Sequence, residues 1–350
     1  MPRLETPAVL IDEAIALRNI DAAQARFDAL GIGLRPHIKT HKLIRFARAQ
    51  IAAGARGITC QKTSEAEVFA DAGFDDILIT YNILGADKHA RLRRMAGKAR
   101  LSVVADSMTT VAGLSAAFAD APAVLTVLVE CDTGGGRCGV QSPAEAAALA
   151  GSIASSSGLR FGGLMTYPAP ASFARTEAFL AEAKALCLAS AGSCEVISSG
   201  GTPSMKDVPT PTVVTEYRPG TYIYNDRSLI VRGACTMADC ALTVLATVVS
   251  RPTPGRAIID AGSKTLSSDL MGLTGYGLLR DYPEAVITGL SEEHGTLDVS
   301  ACPRPPTLGE TVVIIPNHAC VVTNLFDTVH LMREGQPPLR TVIDARGRVV

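Results

Sequence analysis

Through the first two-thirds of this chain, short apolar β-rich runs alternate with Ala-rich amphipathic segments. The β-rich runs fall at 8–11, 34–39, 57–61, 76–81, 101–106, 124–130, 161–167, 195–200 and 213–224. Segments of helical spacing lie between most of them, at 12–30, 43–53, 64–72, 88–96, 109–119, 143–155 and 173–191. Alternation of short buried strands with helical crossovers predicts a parallel sheet covered by helices. About eight such units predict an α/β chain folded as a closed (β/α)8 TIM-like barrel rather than an open doubly wound sheet. No GxGxxG follows the first run, which argues against a dinucleotide fold. After about residue 226 the texture changes. Strand-like runs at 241–250, 256–261, 285–290, 296–299 and 311–315 are separated by Pro and Gly turns, with few helical patterns. This predicts an antiparallel β domain following the barrel. The expected division is a barrel over 8–225 and a β domain over 226–350 that also takes in residues 1–7.

Composition excludes some functions. The chain has 350 residues, a formal net charge of −1, 19 % charged residues and no run of like charges. Neither nucleic acid nor a membrane surface is expected as its main partner. Its nine cysteines are scattered without CxxC pairs, as in a reducing compartment. Residues 1–7 hold no signal-peptide core, and no apolar run is long enough to span a bilayer. A cytoplasmic protein is the expectation.

Candidate chemistry begins at Arg35-Pro36-His37-Ile38-Lys39-Thr40-His41-Lys42, with two lysines, two histidines and an arginine in eight residues. If 34–39 is a strand, Arg35, His37 and Lys39 share a face and point into the C-terminal mouth of the barrel, where catalytic side chains collect. Pro36 and Ile38 then face the helices. The same cluster also reads as a solvated basic turn. A barrel lysine flanked by cations suits Schiff-base chemistry. Ile197-Ser198-Ser199-Gly200-Gly201-Thr202-Pro203-Ser204 follows a strand and offers backbone N–H groups and hydroxyls to an anion. Arg218-Pro219-Gly220-Thr221 offers a second wall, and both fall in the late βα loops where barrels bind phosphate. Either glycine turn alone is weak evidence; with Lys39 they point to pyridoxal phosphate.

Three further features complete the set. Cys131-Asp132-Thr133-Gly134-Gly135-Gly136-Arg137-Cys138-Gly139-Val140 ends an apolar run with room for a ligand beside Arg137, or is a plain surface loop. In Pro316-Asn317-His318-Ala319-Cys320, an extended backbone would put His318 and Cys320 on one face, an imidazole–thiolate pair suited to zinc. An isolated HxC is also compatible with a buried cysteine beside an incidental histidine. Tyr167 and Gln61 each end a strand and are placed either to meet a bound ring or simply to line the rim. Asp327 and His330, further on, are less well placed for such a site and equally fit ordinary loop or helix residues.

These residues resemble the fold-type III pyridoxal-phosphate enzymes, and more narrowly the D-threonine aldolase and D-serine dehydratase branch related to alanine racemase. RPHIKTHK, Arg35 to Lys42, carries the resemblance most specifically, and it extends from residue 6 to Asp327. It implies that Lys39 bonds the cofactor aldehyde, with His37 beside it. Arg137 would meet the phenolic oxygen, Gln61 would neighbour the ring, and Tyr167 would be an active-site tyrosine. Gly200, Gly201 and Thr202 would form the phosphate loop. Arg218 would face the pyridine nitrogen, with Gly220 and Thr221 at the phosphate. His318 and Cys320 would hold a divalent metal, with zinc favoured by the thiolate over manganese or magnesium.

The resemblance implies a lyase acting on a small D-β-hydroxy-α-amino acid, working as a homodimer. Lys39, His318 and Tyr167 would carry the catalysis. Retro-aldol cleavage to glycine plus an aldehyde is the leading expectation, from the 322–327 flank and the chain length. Cys320 instead matches the dehydratases, which release a keto acid and ammonia from D-serine or D-3-hydroxyaspartate. An amino-acid racemase and a non-catalytic pyridoxal-phosphate carrier are the remaining alternatives. The HxC pair argues against the racemase, and the β domain against the carrier.

Overall fold

The computed structural model describes residues 4–169 and 171–350 and divides into two compact units. One comprises 22–39, 44–220 and 348–350; the other comprises 4–21, 40–43 and 221–347. The first strand, β1 (Ala8–Asp12), belongs to the second of these.

The first unit is a curled parallel sheet of eight strands. They are β2 (Gly33–Leu34), β3 (Ile58–Cys60), β4 (Asp76–Asn82), β5 (Arg100–Ala105), β6 (Leu125–Cys131), β7 (Leu159–Thr166), β8 (Val196–Ser199) and β9 (Glu216–Tyr217). Their order is β2-β9-β8-β7-β6-β5-β4-β3. The two ends meet through an isolated parallel bridge, His37 to Thr59, where Thr59 N donates to Pro36 O at 2.8 Å. Leu78, Val104, Leu128 and Met165, one each from β4 to β7, form a buried cluster. Burial of each such side chain contributes about 1.5–3 kcal/mol. The helices start where local chemistry permits. Ser107 and Ser142 accept hydrogen bonds from Thr110 N and Glu145 N, and Pro143 supplies a first-turn residue that needs no N–H partner.

The second unit is a mostly antiparallel sheet. Its remaining strands are β10 (Leu242–Thr253), β11 (Arg256–Ile259), β12 (Leu278–Leu279), β13 (Val286–Leu290), β14 (Gly295–Asp298), β15 (Thr311–Ile315), β16 (Thr328–Met332) and β17 (Leu339–Val342). The long β10 pairs antiparallel with β1, β11 and β15. The barrel-plus-β-domain architecture is as expected, but the boundary at residue 8 needs correcting. β1 pairs antiparallel with β10 (Ala8 with Leu245) and parallel with β16 (Leu10 with His330). A strand leading into a helix looks like a barrel unit locally, and only its distant pairing partners show otherwise.

Three expected strands are also shorter or different. The run at 34–39 is a strand only at Gly33–Leu34, and Ile38–Thr40 is a 3₁₀ turn. The run at 213–224 is a strand only at Glu216–Tyr217, before Thr221–Ile223 forms a second 3₁₀ turn. His318 and Cys320 are not on a strand: His318 caps the helix Ala319–Leu325. No helix among the described residues is long and apolar enough to cross a membrane.

Candidate active site

In the parallel-sheet unit, His37 and Lys39 converge on one amide. Gln61 Oε1 lies 3.1 Å from His37 Nε2 and accepts from Lys39 Nζ at 3.4 Å, while Gln61 Nε2 donates to Thr80 O at 2.9 Å. Lys39 N points at His37 Nδ1 at 3.4 Å. With Nδ1 accepting, the His37 proton sits on Nε2 and is donated to Gln61, so the ring and the amide have consistent polarity. Gln61 N in turn donates to Glu65 Oε2 at 2.7 Å. Gln61 is therefore fixed from both sides just past the C-terminal end of β3.

Arg35 does not join this cluster, contrary to the alternation expected of a strand. Its guanidinium donates to Asp76 Oδ1 at 2.6 Å and to Glu216 Oε2 at 2.6 Å. Asp76 and Glu216 are the first residues of β4 and β9, so Arg35 reaches the N-terminal end of the sheet, away from Lys39. Burial works against its charge, yet Glu216 and Asp76 hold the guanidinium more firmly protonated than usual. Gly57 permits this path, because a Cβ there would stand 2.3 Å from Arg35 Nη1.

The glycine turn after β8 packs closely against two aromatic rings. Gly200 has φ +102°, and a Cβ there would lie 2.2 Å from the Tyr217 ring. A Cβ on Gly201 would lie 2.8 Å from Tyr167 Cε2, so Tyr167 packs on the loop as well as facing Arg137 at 5.0 Å. Tyr217 OH donates to Gly201 O at 3.1 Å, and Thr202–Ser204 turns away as a 3₁₀ element. Arg218 is buried: Nε donates to Ser198 Oγ at 2.7 Å and Nη2 to Thr166 O at 2.5 Å. Burial lowers its pKa to about 10, with Glu216 and Glu130 opposing the fall. Gly220 is buried in this unit too, whereas Thr221 belongs to the other unit, with Oγ1 3.6 Å from Cys320 Sγ.

The Gly134–Gly136 loop carries Arg137 over buried Glu130, with Nη2 3.9 Å from Oε1. Glu130 also accepts from Asn82 Nδ2 at 3.0 Å, and Asp106 Oδ2 accepts from Gly139 N at 3.1 Å. Burial raises the Glu130 carboxyl above the ordinary range, despite Arg137. Glu130, Asp106 and Cys138 gather their polar atoms within 4.8 Å, a grouping the sequence reading did not pick out. Each is a common residue just past or near a strand end, with no spacing to mark it.

In the second unit, His318 and Cys320 come together at a helix start rather than along a strand. Cys320 hydrogen-bonds the His318 ring. Thr40, the residue after Lys39 in the chain, places its Oγ1 3.1 Å from Cys320 Sγ. His318 Nδ1 lies 2.7 Å from Asp269 Oδ2. Burial works against a charged His318 ring, yet its bonds to Cys320 and Asp269 raise its pKa to about 9. Buried Asp226 fixes the turn between them: its Oδ2 accepts from Ala319 N at 3.1 Å, and its Oδ1 from Ser228 Oγ at 2.7 Å. Asp269 and Asp226 were not foreseen, since they lie far from the HxC pair in sequence. Asp327 bonds Arg346 at 3.4 Å, and His330 lies mid-strand in β16, so neither joins the pair.

Two family descriptions match this chain: the alanine racemase N-terminal domain over residues 11–228, and a serine dehydratase-like domain over 241–332. The chain belongs to the alanine racemase N-terminal domain family. It is 35 % identical over 361 residues to a D-threonine aldolase of Arthrobacter sp., covering 99 % of this chain and 94 % of that one. The crystal structure of D-threonine aldolase from Filomicrobium marinum matches with a TM-score of 0.89 and 32 % identity, over 99 % of this chain and 97 % of that one. A cysteine-to-alanine variant of D-threo-3-hydroxyaspartate dehydratase, solved in a metal-free form, matches with a TM-score of 0.86 and 33 % identity, over 96 % and 97 %.

Proposed function

We propose that this chain is a pyridoxal-phosphate-dependent, divalent-metal-assisted lyase of D-β-hydroxy-α-amino acids, most simply an enzyme cleaving them to glycine and an aldehyde. One observation carries the reading: a lysine held by Gln61 in the parallel-sheet unit is accompanied by a separate imidazole–thiol pair that a racemase or a cofactor carrier has no use for. The relatives named as aldolases and dehydratases support the same chemistry.

The residues fit the cofactor. Gly200 and Gly201 carry no side chain where the Tyr217 and Tyr167 rings press on the turn, and this bare backbone, with Thr202 alongside, would offer its N–H groups to the phosphate. Lys39 Nζ would bond the aldehyde carbon, Arg137 would face the phenolic oxygen, and Tyr167 would cover the ring. Arg218 would stand toward the pyridine nitrogen, and Gly220 and Thr221 would complete the phosphate wall. Bound there, pyridoxal phosphate supplies an electron sink for the carbanion left at the substrate Cα. His318 and Cys320 are an intermediate-to-soft donor set, suited to zinc before manganese or magnesium. Such an ion supplies a Lewis acid for the substrate's β-hydroxyl.

Gln61 orients Lys39 through Oε1, and His37 Nε2–H completes that acceptor's shell. Retro-aldol cleavage requires the β-hydroxyl to lose its proton to a base as Cα–Cβ breaks, with Tyr167 as the active-site tyrosine beside the reacting atoms. Removal of the α-proton by Lys39 Nζ, with loss of the β-hydroxyl, gives the dehydratase outcome, and Cys320 favours that second reading. The resemblance further supports a cytoplasmic homodimer, which sedimentation of the holoenzyme checks.

Product analysis of the zinc- or manganese-loaded holoenzyme decides between the reactions. Glycine plus acetaldehyde from D-threonine supports the aldolase reading. Pyruvate plus ammonia from D-serine, with no glycine from D-threonine, replaces it with the dehydratase. Interconversion of enantiomers unaffected by chelation would sink both.

A further inference from the structure

The His318 imidazole has two ring nitrogens, and the fold commits one of them. Asp269 Oδ2 lies 2.7 Å from Nδ1, well within charge-assisted hydrogen-bond range. The carboxylate is itself oriented. Its other oxygen, Oδ1, accepts from Met271 N at 3.1 Å, and Asp269 N donates to Ser267 Oγ at 2.9 Å. Backbone geometry secures the turn, with Ser267 at φ +67° and Met271 at φ +50°, positions rare for residues other than glycine. A carboxylate can only accept, so Nδ1 is committed as the donor to Asp269, and Nε2 is the ring nitrogen left for a metal ion, which would take the place of any proton there. From the other side, Asp226 holds Ala319 N at 3.1 Å and fixes the backbone between the two donors.

We propose that Asp269 is a positioning residue for His318. It fixes the ring's orientation and tautomer so that Nε2 is the metal-binding atom beside Cys320 Sγ. The inference rests on His318 and Cys320 holding the metal. Carboxylate partners of this kind change metal affinity by about 10–100-fold when removed. Asp269 is not one of the residues proposed to hold pyridoxal phosphate, so its removal should leave cofactor binding unchanged.

The test is zinc affinity of the holoenzyme by competition with a chromogenic chelator, together with the thiolate-to-metal absorption of the cobalt-substituted protein. Wild type is compared with Asp269→Ala, Asp269→Asn, His318→Ala and Cys320→Ala. The expected result is a 10–100-fold loss of zinc affinity in Asp269→Ala, with thiolate-to-cobalt absorption retained. Asp269→Asn keeps an oxygen to accept from Nδ1 and should recover part of the loss; it decides the matter if the alanine variant does not fold. Wild-type zinc affinity in a folded Asp269 variant, while His318→Ala loses zinc, overturns the proposal and leaves the metal pair standing. Retention of zinc by His318→Ala overturns the metal pair, and the proposal with it.

Discussion

Ser198 Oγ joins Arg218 to Glu216: it accepts from Arg218 Nε at 2.7 Å and donates to Glu216 Oε1 at 2.7 Å. Glu216 also receives Arg35 Nε at 2.6 Å. The two arginines are thus linked through the barrel interior, one at each end of the strands. Arg35 acts on stability, through buried Glu216 and half-buried Asp76, rather than on substrate.

Arg35→Ala should cost about 3–5 kcal/mol, because it leaves Glu216 charged and buried without its partner. Urea denaturation of the variant measures this. Full stability with lost cofactor binding would return Arg35 to the active-site mouth.

Gly200→Ala forces a side chain into a φ of +102° and onto the Tyr217 ring, which itself stacks on Phe27 at 4.7 Å between centroids. The loop must shift, so pyridoxal-phosphate affinity should fall by at least tenfold and stability by about 1–3 kcal/mol. Fluorescence titration with the cofactor reads the first and thermal unfolding the second. Unchanged affinity would mean the phosphate binds elsewhere.

Lys39→Ala should remove covalent attachment while leaving a folded protein. Borohydride treatment of the holoenzyme, followed by peptide mass mapping, should mark Lys39 and no other lysine. A mark on Lys42 or Lys62 would reassign the nucleophile.

Glu130 carries a pH signature. Its folded-state pKa is raised, chiefly by burial, so the folded protein holds this proton after the unfolded chain has released it. Stability should therefore fall as pH rises from the usual glutamate range to the raised value. Below that window the contribution vanishes, and above it the penalty is constant. Glu130→Gln should flatten this segment of the stability–pH curve. An unaltered slope in denaturation midpoints measured across acid to neutral pH would show that Arg137 and Asn82 fully compensate the burial.

Chelation of the holoenzyme should abolish lyase activity without releasing pyridoxal phosphate, and zinc should restore it. The visible absorption and the product assay report the two separately. Loss of the cofactor on chelation would show that the metal acts through folding.

The alternation of apolar runs and Ala-rich segments was enough to read a parallel barrel with a β domain after it, because burial on both faces and helical crossovers follow from local composition. Lys39, the Gly200–Gly201 turn and the His318–Cys320 pair could be proposed from sequence for a similar reason: each is a motif of a few adjacent residues. What tertiary structure decided is everything that depends on a distant partner. β1 precedes a helix like any barrel strand, but pairs with β10 and β16 across more than 200 residues. Arg35 lies two residues from His37, yet is drawn to Asp76 and Glu216 because an unpaired buried guanidinium costs more than bending away from the mouth. Asp269 reaches His318 from 49 residues away, and Asp226 reaches Ala319, between His318 and Cys320, from 93 residues away. Sequence holds the donors that periodicity and spacing can announce; the groups that orient them are ordinary aspartates, given meaning only by the fold that carries them there.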